Sequence, residues 1–229
     1  MKTIGLIGGL TWLSTAEYYR LMNTRMQEQL GGSHSARIVL HSVDFEEIKT
    51  LTFANDWAGI SRIICGLAKQ LQSAGADCLL VGANTMHRIA PEIQASVQIP
   101  VLHIAEATAI AIRAQGLRKV ALLGTRYTME LGFYQEKLAA SGIETILPEE
   151  ADRQYVHDAI YQEMGKNIFL DSTRAQFIRI IEKLAAAGAE AVILGCTEIP
   201  LLLQQKDSPI AVFDTTAIHA NAAVAFALG

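Results

Sequence analysis

The chain has 229 residues, is 51% hydrophobic and 7% aromatic, and carries a formal net charge of -4. That length supports a sizeable core, in one domain or in two small lobes. The acidic balance and the scattered aromatics argue against a nucleic-acid face, a base-stacking platform and an anionic-membrane surface.

The opening residues 1–9 hold one lysine and a short apolar run. They are read as a first strand, Thr3–Ile7, and its loop, since a signal peptide needs a longer apolar region and a cleavage site. A helical pattern follows from about Ser14 to Leu30 and stops at Gly31-Gly32. Ile38–His41 reads as a strand, and a second helical pattern runs from about Ala58 to Ala74 before Gly75. Further strands are expected at Cys78–Val81, Val101–Ile104, Val120–Leu123 and Glu144–Leu147. A third helical pattern runs from about Thr173 to Ala187 before Gly188, with Ser172 or Asp171 able to cap its start. Strands Ala191–Leu194 and Ala211–Phe213 complete the series. No apolar run reaches the length of a membrane span. Most are apolar without alternation, as in strands buried on both faces, so the fold class is α/β with parallel sheets covered by helices.

Three cysteines, Cys65, Cys78 and Cys196, are widely spaced and form no CxxC pair. That pattern argues against a disulfide framework and a structural metal, and makes a reducing cytoplasm the expected setting.

An internal repeat is the most informative feature. Leu71–Thr85 matches Leu184–Glu198, each a helix end, a glycine, an apolar strand and a polar loop. Gly75 and Gly188, Gly82 and Gly195, and Ala83 and Cys196 are each 113 residues apart. Lys2–Gly8 matches Arg118–Gly124 at a spacing of 116, and Ile99–His103 matches Ile210–Asp214 at 111. Three similar spacings argue for duplication into two pseudo-symmetric α/β lobes. A ligand is then expected beyond the carboxyl ends of the strands, in a cleft between lobes, with positions 83 and 196 on opposite sides of it.

The loops at those strand ends hold the candidate residues. Gly9 and Thr11 lie in the first, where glycines are expected to let the backbone pass close to a small ligand. That segment lacks GxGxxG and the P-loop pattern, which argues against a nucleotide cofactor. Asn84-Thr85 and Thr197-Glu198 are small polar groups at equivalent places, suited to an ammonium and a carboxylate. Gly124, Thr125 and Thr128 form either an anion cradle or an ordinary capped helix start. Cys196, after a strand and a glycine, is expected to have its thiol pKa lowered by nearby amides, as suits a nucleophile or a base. Cys65 and Cys78 read as buried small hydrophobes. His87 and His219 read as structural in preference to proton handlers. Asp44 either orients a cleft residue or caps a turn. Lys166 is either a solvated lysine or a lid over a distal carboxylate.

Together Gly8-Gly-Leu-Thr-Trp12, Ser42-Val-Asp-Phe45, Asn84-Thr-Met-His87, Leu123–Met129, Gly195-Cys-Thr-Glu-Ile199 and Phe213–His219 resemble the aspartate/glutamate racemase family from end to end. The resemblance is greatest to its bacterial amino-acid racemase branch. It implies two α/β lobes, here residues 1–113 with 206–229 returning to the first, and 114–205. It also implies a homodimer, a small amino-acid or dicarboxylate ligand, and racemisation of acidic amino acids with no pyridoxal phosphate and no metal. One residue from each lobe would flank the α-carbon, one removing the proton and the other returning one. In the family the residue before Asn-Thr is commonly Cys, and Thr in some members; here it is Ala83, which can neither give nor take a proton. Three explanations stand: a catalytic residue replaced by engineering, a one-base enzyme like the related arylmalonate decarboxylases, or a homologue that only binds an amino acid or dicarboxylate.

Overall fold

The computed structural model describes all 229 residues. The chain divides into two compact units, Met1–His103 with His219–Gly229, and Ile104–Ile218.

The first unit begins with β1 (Ile4–Gly8), α1 (Trp12–Leu30), β2 (Ile38–Ser42), α2 (Phe45–Phe53), α3 (Trp57–Ser73), β3 (Cys78–Val81) and α4 (Ala90–Ser96). Its parallel sheet has the order β2-β1-β3. Both faces are covered, one by α3 residues such as Ile60, Ile64 and Leu71, the other by Tyr18, Met22 and Met26 of α1. This explains the continuous apolar strands, because neither face needs polar alternation.

The second unit comprises α5 (Ile104–Ala114), β4 (Lys119–Gly124), α6 (Arg126–Glu130), α7 (Phe133–Ala139), β5 (Glu144–Ile146), α8 (Glu150–Gln162), α9 (Asp171–Ala186), β6 (Ala191–Gly195), α10 (Ile199–Leu202) and β7 (Ala211–Asp214). Then α11 (Thr215–Leu228) carries the chain back into the first unit, where Ala220, Ala223, Val224 and Ala227 join the core under β1. The second sheet is also parallel, in the order β5-β4-β6-β7.

The repeat is visible in the strand registers. Ile4 pairs with Cys78 in the first sheet. Their repeat partners, Val120 and Ala191, pair in the second. Leu79 makes a single parallel bridge to Val101, and the repeat partners Val192 and Val212 pair within β6 and β7.

Three expectations change. The strand expected at Val101–Ile104 is only that one bridge, because His103 is followed at once by α5, whose Ile104 enters the second unit's core. The joints between units also fall elsewhere than expected: α5 packs into the second core, and 211–214 form a strand of the second sheet, so residues 104–113 and 206–218 belong with the second unit. Neither Ser172 nor Asp171 caps α9, since Leu170 occupies the cap position; instead Thr173 Oγ1 in the first turn donates to Glu163 at 2.6 Å.

Candidate active site

In the second unit, β4 and β6 run side by side with Gly124 opposite Gly195. A Cβ on either glycine would strike the other strand's backbone, so the two strand ends approach as only glycine permits. The loops that follow, 125–128 and 196–198, are therefore neighbours.

Cys196 is 9% exposed. Its Sγ donates to Glu198 Oε2 at 2.9 Å, and Thr197 Oγ1 donates to the same oxygen at 2.9 Å. Burial pushes the Cys196 thiol well above its ordinary range, and the Glu198 carboxylate adds to this by its charge and hydrogen bond. The amides of Glu198 and Thr197 oppose the shift, as the sequence suggested, but they do not prevail. The following helix, α10, has only four residues, so little dipole supports a thiolate. In this state the thiol is protonated and poised against a carboxylate, which corrects the expectation of a lowered pKa.

Thr125 caps α6: its Oγ1 accepts from Thr128 N at 3.3 Å and lies 3.2 Å from Thr128 Oγ1. The Gly124–Thr128 segment therefore has the geometry of a capped helix start. Lys166 is exposed in a short 3-10 turn, Met164–Lys166, and its ammonium forms no ion pair.

Three further residues gather here. His157 and Tyr161 lie one turn apart on α8 with ring centroids 4.9 Å apart, and Tyr127 packs edge-on to His157 at 5.9 Å. His157 Nδ1 accepts from the Arg126 amide at 3.3 Å. Burial raises the Tyr161 phenol, and negative charge on neighbouring Cys196, Tyr127 or Glu198 raises it further, so this ring lies within electrostatic reach of the 196–198 loop. A cavity of about 290 Å³ opens at Tyr127 and His157, lined also by Arg126, Glu130 and Leu131. The available signal was a histidine and a tyrosine at i, i+4 on a helix, which marks a shared face but not what that face meets.

In the first unit, Ala83 follows β3 and is half-buried. The Gly82 carbonyl accepts from Ser14 Oγ at 2.7 Å, and the Ala83 carbonyl lies 2.9 Å from His87 Nδ1. Asn84 and Thr85, both buried, open the short 3-10 turn Thr85–Ile89. Gly9 has φ of 79°, and a Cβ there would collide with Val43's backbone. Its freedom serves a close approach within the protein, beside any role toward a ligand. Its amide donates to Thr15 Oγ1 at 2.7 Å, while Thr11 caps α1 through Ser14 N at 3.2 Å. Asp44 caps α2 through Glu46 N at 3.0 Å. Burial and neighbouring His87 lower the His219 pKa to about 3, a buried structural histidine. Cys78 is buried, and its thiol is pushed up to about 12 by desolvation, with the Asp77 charge adding to it.

Each unit is an α/β fold on a parallel sheet with the same order of its first three strands, and the second ends its third strand at a buried thiol hydrogen-bonded to a carboxylate. The chain belongs to the Asp/Glu/hydantoin racemase family, whose profile matches residues 7–223. It is 48% identical to a crystallised Asp/Glu racemase candidate from Yersinia pestis, with a TM-score of 0.93 and full coverage of both chains. An aspartate racemase homologue from Pyrococcus horikoshii OT3 is 33% identical with a TM-score of 0.87, again covering both chains fully. The broad specificity amino-acid racemase RacX of Bacillus subtilis is 26% identical over 234 residues, 96% of each chain.

Proposed function

We propose that this chain is a cofactor-independent catalyst of proton transfer at the α-carbon of an amino acid, of the aspartate and glutamate racemase type, acting from one face. The observation that carries the reading is the hydrogen bond from Cys196 Sγ to Glu198 Oε2. Proton transfer along that bond leaves a thiolate, which can then take the α-proton of a bound substrate. The family relationship and the amino-acid racemase RacX support the substrate class. Thr125, Thr128, Thr197, Asn84 and Thr85, with Gly9, Thr11, Gly124 and Lys166, remain the candidates for holding substrate. Their hydroxyls and amides would stabilise charge developing on its carboxylate. A homodimer in a reducing cytoplasm belongs to the same reading, and the three unpaired cysteines suit that setting.

Inversion needs a second proton donor, and the repeat counterpart of Cys196 is Ala83, whose methyl has none. The expected reaction is therefore exchange with retention: the thiol hydrogen swaps with solvent and returns to the same face. Proton NMR in heavy water, with each enantiomer of aspartate and glutamate separately, tests this. One enantiomer should lose its α-proton signal without becoming the other, and Cys196→Ala should abolish the loss. Silence from all four substrates with folded protein rejects the proposal. Ala83 also favours a second reading, one-face decarboxylation of substituted malonates, in which Cys196 protonates the carbanion left by carbon dioxide. Release of carbon dioxide from a malonate panel, lost in Cys196→Ala, identifies it.

A further inference from the structure

Three histidines far apart in sequence meet beneath the loop that carries residue 83. His87, His103 and His219 are all buried. The His87 ring lies 4.8 Å from that of His103 and 5.4 Å from that of His219. The hydrogen bonds of His219 and His87 fix which nitrogen carries the proton. His219 Nε2 lies 2.7 Å from the Leu102 carbonyl, which can only accept, so Nε2 carries the hydrogen. Its Nδ1 then accepts from Tyr18 OH at 2.8 Å. By the same reasoning His87 Nδ1, 2.9 Å from the Ala83 carbonyl, is the protonated nitrogen of that ring.

We propose that His87 is a positioning residue: packed against His103 and His219, it holds the Ala83 carbonyl through Nδ1–H and so sets the direction of the residue-83 side chain. The neighbouring Gly82 carbonyl is held independently by Ser14 Oγ. Two consecutive carbonyls are thus pinned by side chains from α1 and from the 3-10 turn, leaving the plane of the intervening peptide little freedom. The His87 amide also donates to the Asn84 carbonyl at 3.0 Å, so the ring and the turn reinforce each other. A loop held this firmly is preorganised for a side chain that must meet a substrate, although the present side chain is a methyl.

The consequence for turnover rests on the proposed function; the consequence for the imidazole does not. Nitrogen–proton correlation NMR of the histidine rings should show His87 as the Nδ1–H tautomer and His219 as the Nε2–H tautomer. His87 observed as Nε2–H overturns the proposal. The kinetic test uses Ala83→Cys, in which residue 83 can act. Adding His87→Leu should lower inversion at least tenfold while Cys196-dependent exchange on the other face stays within about threefold. His87→Asn should restore most of the inversion, because its amide nitrogen stands as many bonds from Cα as Nδ1 does. An equal fall in both rates, or no rescue by asparagine, means a general structural role and overturns the assignment. If Ala83→Cys produces no inversion at all, the functional reading is at fault. His87 is then judged by its tautomer and by amide exchange at Asn84 and Thr85, which should quicken in His87→Leu and recover in His87→Asn; unchanged exchange in His87→Leu overturns it.

Discussion

Cys196 and Glu198 form a buried pair, the thiol donating to the carboxylate. Burial raises the thiol's pKa and the carboxylate's charge adds to the rise, while in the proposed reaction the same carboxylate takes the proton. These two effects separate under substitution. Glu198→Gln removes the negative charge, so the resting thiolate fraction should rise, while the proton acceptor is lost. Iodoacetamide should then label Cys196 at pH 8.5 at least about threefold faster than in the unaltered chain, since a tenfold change corresponds to one pKa unit. The α-proton exchange rate should fall by about tenfold or more over the same comparison. Slower labelling together with slower exchange would mean that Glu198 only supports the loop. Position 196 was legible as a candidate in the sequence because the repeat and the polar GCTE loop marked it. The direction of its pKa shift was not, because burial and the aim of the Glu198 side chain are tertiary facts. Tyr161 was invisible for the same reason: its proximity to the thiol depends on where α8 lies, not on any local motif.

At the level of elements, what could be read was what periodicity and glycine dictate. The apolar strands and the long helices α1, α3 and α9 were legible because a buried strand and an amphipathic helix each leave a pattern several residues long. The short helices α6 and α10 leave none, and 101–104 looked like a strand but is diverted into α5 after one bridge. Glycines carry a second message that depends on surroundings. Gly195 sits where a Cβ would lie 2.8 Å from the Leu123 carbonyl and 2.9 Å from Leu122 Cδ1. Gly66 lies mid-helix in α3, with nothing near its absent Cβ. The same substitution should therefore have opposite signs. Gly195→Ala should destabilise by about 1–3 kcal/mol through overpacking, and Gly66→Ala should stabilise by about 0.5–1 kcal/mol through helix propensity. Urea midpoints of the two variants check both signs. A stable Gly195→Ala would show that β4 and β6 can part without cost.

On the scale of the molecule, acid should open the first unit through its buried histidine. His219 is neutral in the fold, with its pKa lowered from 6.5 to about 3, chiefly by burial. Between those values the unfolded chain binds a proton that the native chain refuses. Stability from this group is therefore full above about pH 6.5 and is lost as pH falls toward 3, at about 1.4 kcal/mol per unit. His157, whose pKa is also lowered by burial, acts in the same direction in the second unit. His219→Gln keeps a donor for the Leu102 carbonyl and should flatten the stability-versus-pH curve between pH 4 and 6 by up to one proton. An unchanged slope would place the acid sensitivity elsewhere.

Ala83 and Cys196 each follow a glycine at the end of the third strand in their own sheets, and the two sheets share strand order and register up to that point. The Gly82 and Ala83 carbonyls each accept a side-chain hydrogen bond, from Ser14 and His87. Replacing a half-buried methyl with CH₂SH adds one sulfur atom and asks for no new backbone conformation. Ala83→Cys should therefore fold with a stability change within about 1.5 kcal/mol. It should turn exchange with retention into inversion, read as the appearance of the opposite enantiomer by chiral chromatography. Ala83→Thr should do so more weakly, because a hydroxyl is a far poorer base than a thiolate. Inversion that survives Cys196→Ala in either background would mean that one group serves both faces and would end the two-residue account. Inversion lost in Cys196→Ala, and absent without a proton-bearing group at 83, would make each half of the duplicated fold responsible for one face of the substrate.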